Sequence, residues 1–272
     1  MVLPLRDLNP TRRLPVVTLL IIAVNVFVYF AVQPHDNSQD SDRFTYEHAA
    51  IPCEITHGHP LSQKQIALGS CSVTHSDVAV RTPQGVVTVR DEPIAPAKNV
   101  YVAIIVSMFL HANLLHLFGN MLFLWIFGNN VEDHLRPFGF ILFYFAAGIV
   151  ATLAFIAVNV SSVTPLIGAS GAIAGVMGAY LIWFPRTRIL SVVLPLFFFP
   201  FYLPASVVLV VWFVMQFFTD PNNGVAWVAH VGGFAFGALV ALALRGSHGP
   251  RSRIAPPPPP WPDAWPGGMR GI

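Results

Sequence analysis

The stretch PLIGASGAIAGVMGAY, residues 165–180, decides how this chain folds. It is apolar enough for a membrane-spanning helix, yet it is rich in glycine and holds one hydroxyl group, Ser170, between Ala169 and Gly171. Glycines spaced along a helix allow a second helix to approach closely in a membrane. The stretch therefore predicts a tightly packed helix in the bilayer whose first turn carries a serine.

The composition of the whole chain agrees with a membrane environment. Of its residues 54% are hydrophobic and only 10% are charged, whereas a soluble globular domain has about a quarter charged residues. The sequence therefore predicts an integral membrane protein. A net charge of +2, with no glycine-rich phosphate loop and no CxxC pair, argues against a nucleic-acid partner and suggests no cofactor.

Apolar segments that approach the roughly 20 residues needed to cross a bilayer occur six times. They are residues 14–33, 104–128, 138–158, 168–184, 190–218 and 225–244. The first is longer than the apolar part of a signal peptide, and no small-residue cleavage site follows it. The predicted fold is an all-α polytopic membrane protein with six transmembrane helices.

Lysine and arginine residues predict the orientation, because they are enriched in cytoplasmic loops. Their distribution places both termini in the cytoplasm and makes helices two, four and six run inward. The chain then divides into a cytoplasmic N-terminus (1–13), a first transmembrane helix (14–33), an extracytoplasmic loop insert (34–99), the remaining five transmembrane helices with the candidate site (100–245), and a Pro-rich cytoplasmic tail (246–272).

The extracytoplasmic insert contains both cysteines of the chain, Cys53 and Cys71. An oxidising compartment favours a disulfide between them. A second interpretation is a zinc site, because each cysteine is followed by a histidine, His57 or His75, in a repeated C-x3-H pattern. We expect the disulfide ahead of the zinc site, because two thiols in an oxidising space pair more readily than they bind metal.

Four polar residues of the inward-running helices are predicted to lie at one depth, toward the outer face. At 1.5 Å of rise per residue, Ser170, His230 and His116 lie at similar distances from the cytoplasmic ends of their helices, and Asn120 is one turn below His116. A lone serine usually bonds its own helix or packs at a helix contact. A histidine within the bilayer usually faces a cavity or a partner.

Together these residues predict hydrolytic chemistry. His230 would accept the proton of Ser170 as a general base and so activate the hydroxyl as a nucleophile. Unpaired N–H groups at the start of the serine helix would stabilise an oxyanion, with His116 and Asn120 as side-chain donors. Asn120 alone would simply link two helices, and His111, on a different face, would cap the start of helix two.

The residues resemble the rhomboid family of intramembrane serine proteases. The matching motifs are G-x-S-G (Gly168, Ser170, Gly171), A-H-x-x-G-x-x-x-G (Ala229, His230, Gly233, Gly237) and H-x4-H-x3-N (His111, His116, Asn120). The resemblance implies a Ser170–His230 dyad without an acidic member, assisted by His116 and Asn120. Glu132 looks like the structural acidic residue that the family often has after helix two.

Two features depart from the family pattern. Ala174 stands where many members have an aromatic residue that stacks on the histidine, and the stretch NVYVAIIVSMFLH, residues 99–111, lacks the Trp-Arg pair common in the first outer loop. These departures concern how His230 is held and how the first loop is anchored, and they leave the dyad intact.

The sequence thus predicts an intramembrane serine endopeptidase that cuts single-span membrane proteins in the lipid bilayer, with no metal and no cofactor. The expected location is the plasma or inner membrane. One alternative is a non-proteolytic rhomboid-like protein that binds membrane clients, although retention of both Ser170 and His230 favours the enzyme. A transporter with His230 as a proton relay is less consistent, because the predicted spans hold almost no carboxylates and no inverted repeats of broken helices.

Overall fold

A computed structural model of the chain describes residues 2–35, 39–73, 78–82, 85–89, 91–193, 197–218 and 226–245. The described part is mostly helical. Its helices are α1 (Val16–Phe27), α2 (Gln39–His48), α3 (Pro52–His57), α4 (Gln63–Leu68), α5 (Ala103–Val106), α6 (Leu114–Phe123), α7 (Asn129–Val158), α8 (Ser170–Trp183), α9 (Ala205–Gln216) and α10 (Trp227–Ala243). Its strands are β1 (Val2–Asp7), β2 (Val78–Thr82), β3 (Gly85–Val89), β4 (Arg188–Val193) and β5 (Phe197–Pro204).

Helix α8 is the centre of the fold and packs against α7 and α10. Every residue from Ala172 to Tyr180 is buried, which agrees with a helix that is apolar on all sides. The helix ends at Trp183, because Phe184 precedes Pro185 and proline disfavours a helical conformation in the residue before it. The helix predicted at 168–184 therefore forms with nearly those bounds.

One continuous helical segment among the described residues, Leu114–Val158, is long and apolar enough to cross a membrane. It is interrupted at Arg136, which has φ 65° and ψ 162° and precedes Pro137. His116 at one end of the segment and Val158 at the other line the same cavity. The chain therefore reverses direction at Arg136, and the segment forms two arms.

The other apolar helices are shorter, at 10–17 residues: Val16–Val32, Ser170–Trp183, Ala205–Gln216 and Trp227–Ala243. Each helix lies within a segment that the sequence predicted, namely 14–33, 168–184, 190–218 and 225–244 in chain order. Length and composition alone do not give six spans, so the six-span architecture remains a proposal. The tail at 246–272 lies outside the described residues.

The prediction of a spanning helix over 190–218 is wrong for its first half. Strands β4 and β5 occupy that part, and β4 also pairs with β1, so that a three-stranded antiparallel sheet forms in the order β1-β4-β5. Proline residues explain the difference: Pro200 and Pro204 interrupt the apolar run, and α9 begins only at Ala205, directly after the second of them. The segment 1–13 is therefore partly a strand of this sheet.

Strand β1 ends against the core of the helical bundle. The Asp7 carboxylate accepts hydrogen bonds from Asn130 Nδ2 at 2.5 Å and from Tyr180 Oη at 3.0 Å. Burial raises the pKa of Asp7 to about 6. Tyr180 lies near the C-terminal end of α8, so the sheet is attached to the opposite end of that helix from Ser170.

The helix predicted over 104–128 begins about ten residues later than expected. Leu110 is extended (φ −92°, ψ 143°), and α6 starts at Leu114. The side chain of Asn113 caps α6 by accepting the His116 backbone N–H at 2.9 Å. The expectation that His111 caps this helix is therefore wrong: its imidazole is fully buried, edge-on to the ring of His116 with 5.1 Å between the ring centroids.

Helix α1 is attached to α7 through Glu132, as expected of a structural acidic residue. The buried carboxylate accepts the backbone N–H groups of Val17 at 3.0 Å and Thr18 at 2.7 Å, and the Thr18 hydroxyl at 2.7 Å. Pro15 at the start of α1 supplies no side-chain cap. Glu132, a residue of α7, therefore accepts hydrogen bonds from N–H groups at the start of α1 that have no partner within their own helix.

The insert is a small folded unit held by covalent and ionic contacts. Cys53 and Cys71 form a disulfide, so the disulfide alternative is confirmed and no free thiolate is available for zinc. His75 lies outside the described residues. Glu54 and Lys98 form an ion pair at 2.5 Å, with side chains that are 0% and 2% exposed. Burial lowers the pKa of the Lys98 ammonium, while the hydrogen bond and the charge of Glu54 oppose that shift.

Candidate active site

Ser170 is the first residue of α8. The preceding turn contains Gly168, whose φ of +118° is one that residues with a side chain rarely adopt. The Gly168 backbone N–H donates to the carbonyl of Ser107 at 2.9 Å, which ties this turn to the segment before α6. A short, fixed turn thus presents the serine hydroxyl where the first N–H groups of α8 have no partner within the helix.

His230 lies on the first turn of α10 and faces the serine. Its Nε2 is 2.8 Å from Ser170 Oγ, a hydrogen-bond distance. The two residues are brought together by backbone packing of α8 against α10. A Cβ at Gly233 would overlap the carbonyl oxygen of Gly171, and a Cβ at Gly237 would overlap that of Gly175. The helices therefore approach this closely only because glycine occupies these positions.

His116 and Asn120 also reach this place from α6. The His116 ring lies against Gly168, where an added Cβ would be 2.9 Å from His116 Nε2. The backbone N–H of Ala112 donates to His116 Nδ1 at 3.4 Å, so the ring proton belongs on Nε2, on the side of the serine. Asn120 is buried and its Nδ2 donates to the His116 carbonyl at 3.1 Å.

A cavity of about 820 Å³ connects these side chains. Its walls come from α6, the end of α7, the loop at 159–169 before α8, and helices α8, α9 and α10. Most of the lining is apolar, with Phe155, Trp212 and Trp227 among its rings. An apolar cavity of this size with a few convergent polar groups is typical of a substrate site.

Comparison with known proteins agrees with this geometry. The rhomboid domain model matches residues 98–247, more than half of the chain. The chain belongs to the rhomboid family. Members of that family are integral membrane proteins and are generally intramembrane serine proteases. They act on membrane proteins in the bilayer. The resemblance predicted from the three motifs is confirmed.

Curated relatives of this rhomboid chain carry mitochondrial names. "Rhomboid protein 1, mitochondrial" of Saccharomyces cerevisiae is 36% identical over 98 residues, which cover 35% of this chain and 28% of that protein. "Presenilin-associated rhomboid-like protein, mitochondrial" is 32% identical in Bos taurus and 31% in Homo sapiens, each over 105 residues, which cover 38% of this chain and 28% of the relative. The matched segment thus spans less than a third of these relatives. Their names do not support a location in the plasma or inner membrane, so the expected location of this chain stays a prediction.

The insert outside the rhomboid domain supports the loop that precedes Ser170. The Leu166 backbone N–H donates to the Ala50 carbonyl at 2.8 Å, and the Cys53 N–H donates to the Ser162 carbonyl at 3.0 Å. Ser162 and Leu166 both line the cavity. The disulfide-linked insert therefore forms part of the framework of the site.

One polar contact of the rhomboid site was missed from the sequence. Gln216, the last residue of α9, places its Oε1 2.8 Å from Nδ1 of His230. Ala174, where the resemblance led us to expect an aromatic residue, is buried in α8. Among the described residues the ring of Trp212 lies beside His230, tilted by 40° with its centroid 5.8 Å from that of the imidazole. The available signal was an amide at the end of a largely apolar helix, because such groups seldom occur there without a partner.

Proposed function

We propose that this rhomboid protein is an intramembrane serine endopeptidase that uses Ser170 as nucleophile and His230 as general base. The observation that carries the proposal is the 2.8 Å contact between Ser170 Oγ and His230 Nε2 at the wall of a largely apolar cavity. A hydroxyl is a weak nucleophile unless a neighbouring base removes its proton. No metal or cofactor has a part in this proposal.

The proposed reaction has two halves. Ser170 Oγ attacks the carbonyl carbon of the scissile peptide while His230 Nε2 takes its proton, and the imidazolium then gives that proton to the leaving amine. Water next attacks the acyl-enzyme, with His230 again as base, and releases the acid and free Ser170. The oxyanion of each tetrahedral intermediate is held by first-turn N–H groups of α8 and by His116 Nε2–H. Asn120 assists it, as a side-chain donor to the same oxygen.

We further propose the six-span arrangement with both termini in the cytoplasm. It is supported by the positions of the two non-membrane parts at opposite ends of α8. The insert contacts the loop before Ser170, and the β-sheet contacts Tyr180 near the other end through Asp7. The site then lies toward the outer face, where water can reach the acyl-enzyme.

The proposed substrate is a single-span membrane protein. A spanning helix has its peptide groups bonded internally, because an unpaired backbone group in hydrocarbon costs several kcal/mol. A client must therefore unwind locally near the outer face before it is cut. We expect cleavage in the outer part of the client's span, or just outside it, after a small residue such as Ala, Ser or Gly.

Mass spectrometry of the products from a model client tests this substrate proposal. Replacing the Gly and Pro residues of the client span by Leu should protect it. Unchanged cleavage, or a cut near the cytoplasmic end, would show that the unwinding argument or the orientation is wrong.

Labelling of the purified protein in detergent by a fluorophosphonate tests the proposed chemistry. We expect covalent attachment at Ser170, loss of labelling in Ser170→Ala, and normal labelling in the control Ser206→Ala, which removes a hydroxyl from α9. Equal labelling of wild type and Ser170→Ala would defeat the nucleophile assignment. Absence of labelling in the wild type would instead favour the client-binding alternative.

A further inference from the structure

Gln216 forms a hydrogen-bonded link between helices α9 and α10 directly behind the histidine. Its Nε2 donates to the carbonyl of Trp212 at 3.1 Å, and its Oε1 lies 2.8 Å from Nδ1 of His230. The side chain is buried, with 8% of its surface exposed. Both ends of the amide therefore have partners, which fixes its position.

These contacts determine which way the amide faces. The Trp212 carbonyl is only an acceptor, so it takes the NH2 end of Gln216, and the carbonyl end of the amide faces His230. The reverse orientation would place two oxygens against each other and two amide hydrogens against the ring. Because Oε1 of Gln216 is itself only an acceptor, Nδ1 of His230 must carry the ring proton.

The tautomer of the histidine follows from this. A neutral imidazole with its proton on Nδ1 has a free lone pair on Nε2, and Nε2 is the atom 2.8 Å from Ser170 Oγ. The opposite tautomer would point an N–H at the hydroxyl and could not accept its proton. The state required of a general base is thus the one that Gln216 selects.

We propose that Gln216 is a positioning residue for His230, a neutral third member that sets both the tautomer and the ring plane. This inference rests on the proposed function. Among the described residues that line the cavity there is no carboxylate, and the other titratable side chain is His116 on α6. Ala174 provides no ring to stack on the histidine.

The neutral amide also has an energetic consequence. The Nδ1–H to Oε1 bond persists when His230 becomes protonated, so the amide dipole stabilises the imidazolium. A carboxylate in the same place would stabilise that cation more strongly. Gln216 therefore aligns the base without placing a negative charge beside it.

Two substitutions test the role of Gln216, with Val214→Ala on the exposed side of α9 as control. Gln216→Leu keeps the size and removes the acceptor, and Gln216→Glu keeps the acceptor and adds charge. The measurements are the rate constant for fluorophosphonate labelling of Ser170 from pH 5 to pH 9, and kcat and KM for a model single-span client.

We expect Gln216→Leu to lower the labelling rate and kcat on the order of 10- to 100-fold with little change in KM, the size of effect that loss of an orienting partner has on metal-bound imidazoles. Gln216→Glu should restore most of the rate, with the acid limb of its pH profile moved upward by about one unit or more. Val214→Ala should behave as wild type.

Wild-type rates in Gln216→Leu would overturn the proposal. It would also be overturned if both variants were slow with an unchanged pH profile, because that result describes a packing residue. If Gln216→Leu does not fold, the pH profile of Gln216→Glu decides alone. Failure of wild type to label at Ser170 would instead refute the proposed function.

Discussion

The contact between α8 and α10 offers a direct test of how the dyad is assembled. A Cβ added at Gly237 would overlap the carbonyl oxygen of Gly175 and lie 2.6 Å from its carbonyl carbon and 2.8 Å from its Cα. Ordinary contacts of a Cβ begin at 3.4 Å. All three neighbouring atoms belong to the backbone, so no side chain can rotate away. The two carbon contacts alone require a separation of roughly 0.6–0.8 Å (3.4 − 2.8 and 3.4 − 2.6), and the overlap with the oxygen requires more. Gly237→Ala must therefore push the helices apart, since packed interiors do not absorb such an overlap.

That separation is large enough to break the dyad. The 2.8 Å contact between Ser170 and His230 would lengthen to about 3.5 Å or beyond, where a side-chain hydrogen bond is essentially lost. We expect fluorophosphonate labelling of Ser170 to slow by about 10²- to 10⁴-fold, the usual contribution of a general base. Overpacking should also lower the free energy of unfolding by about 1–3 kcal/mol.

The assay compares labelling rates and thermal unfolding in detergent for wild type, Gly237→Ala and a control, Gly139→Ala. In the control the added Cβ meets only Leu135, at an ordinary 3.5 Å, so both measurements should stay near wild type. Labelling of Gly237→Ala at the wild-type rate, with an unchanged melting temperature, would refute the claim that glycine contacts hold the dyad at bonding distance.

Three further predictions address the supporting structure. Glu132→Ala should destabilise the fold by about 3–5 kcal/mol, because several buried donors lose a charged acceptor, whereas the control Asp133→Ala should cost under about 1 kcal/mol in thermal or chemical unfolding. Burial raises the pKa of Asp7 from 3.8 to about 6. The free energy of unfolding should therefore be greatest below pH 4 and fall by about 3 kcal/mol as pH rises through 6. In Asp7→Asn, the free energy of unfolding measured against pH should no longer show this fall. Asn120→Ala should keep its melting temperature while client turnover falls on the order of 10²-fold, and wild-type turnover would make Asn120 a packing residue.

Much of the helical framework could be predicted because it depends on local patterns. Apolar runs at 14–33, 168–184 and 225–244 correspond to helices in the structure, and the glycines of α8 and α10 predicted their close contact. Pro200 and Pro204 were a local signal too, and they contradicted the single helix expected over 190–218. The delayed start of α6 depends on the Asn113 cap, which an apolar pattern does not reveal.

The β-sheet could not be predicted in the same way. Strand β1 pairs with β4 through contacts such as Val2 with Val193, which lie far apart in the chain. No periodicity within either segment identifies its partner, because the pairing depends on how the intervening helices bring the two segments together. The same holds for Asp7, whose contact with Tyr180 exists only in the folded bundle.

The sequence by itself determined that the chain belongs in a membrane, which family it belongs to, and which side chains to propose for the chemistry: Ser170, His230, His116 and Asn120. Those features follow from composition and from motifs within single helices. Only the tertiary structure decided which ring nitrogen of His230 carries the proton, because the residue that selects Nδ1, Gln216, belongs to another helix. Hydrogen bonds require alignment to a few tenths of an ångström, and that alignment is set by the packing of α8, α9 and α10 together rather than by the residues of any one of them.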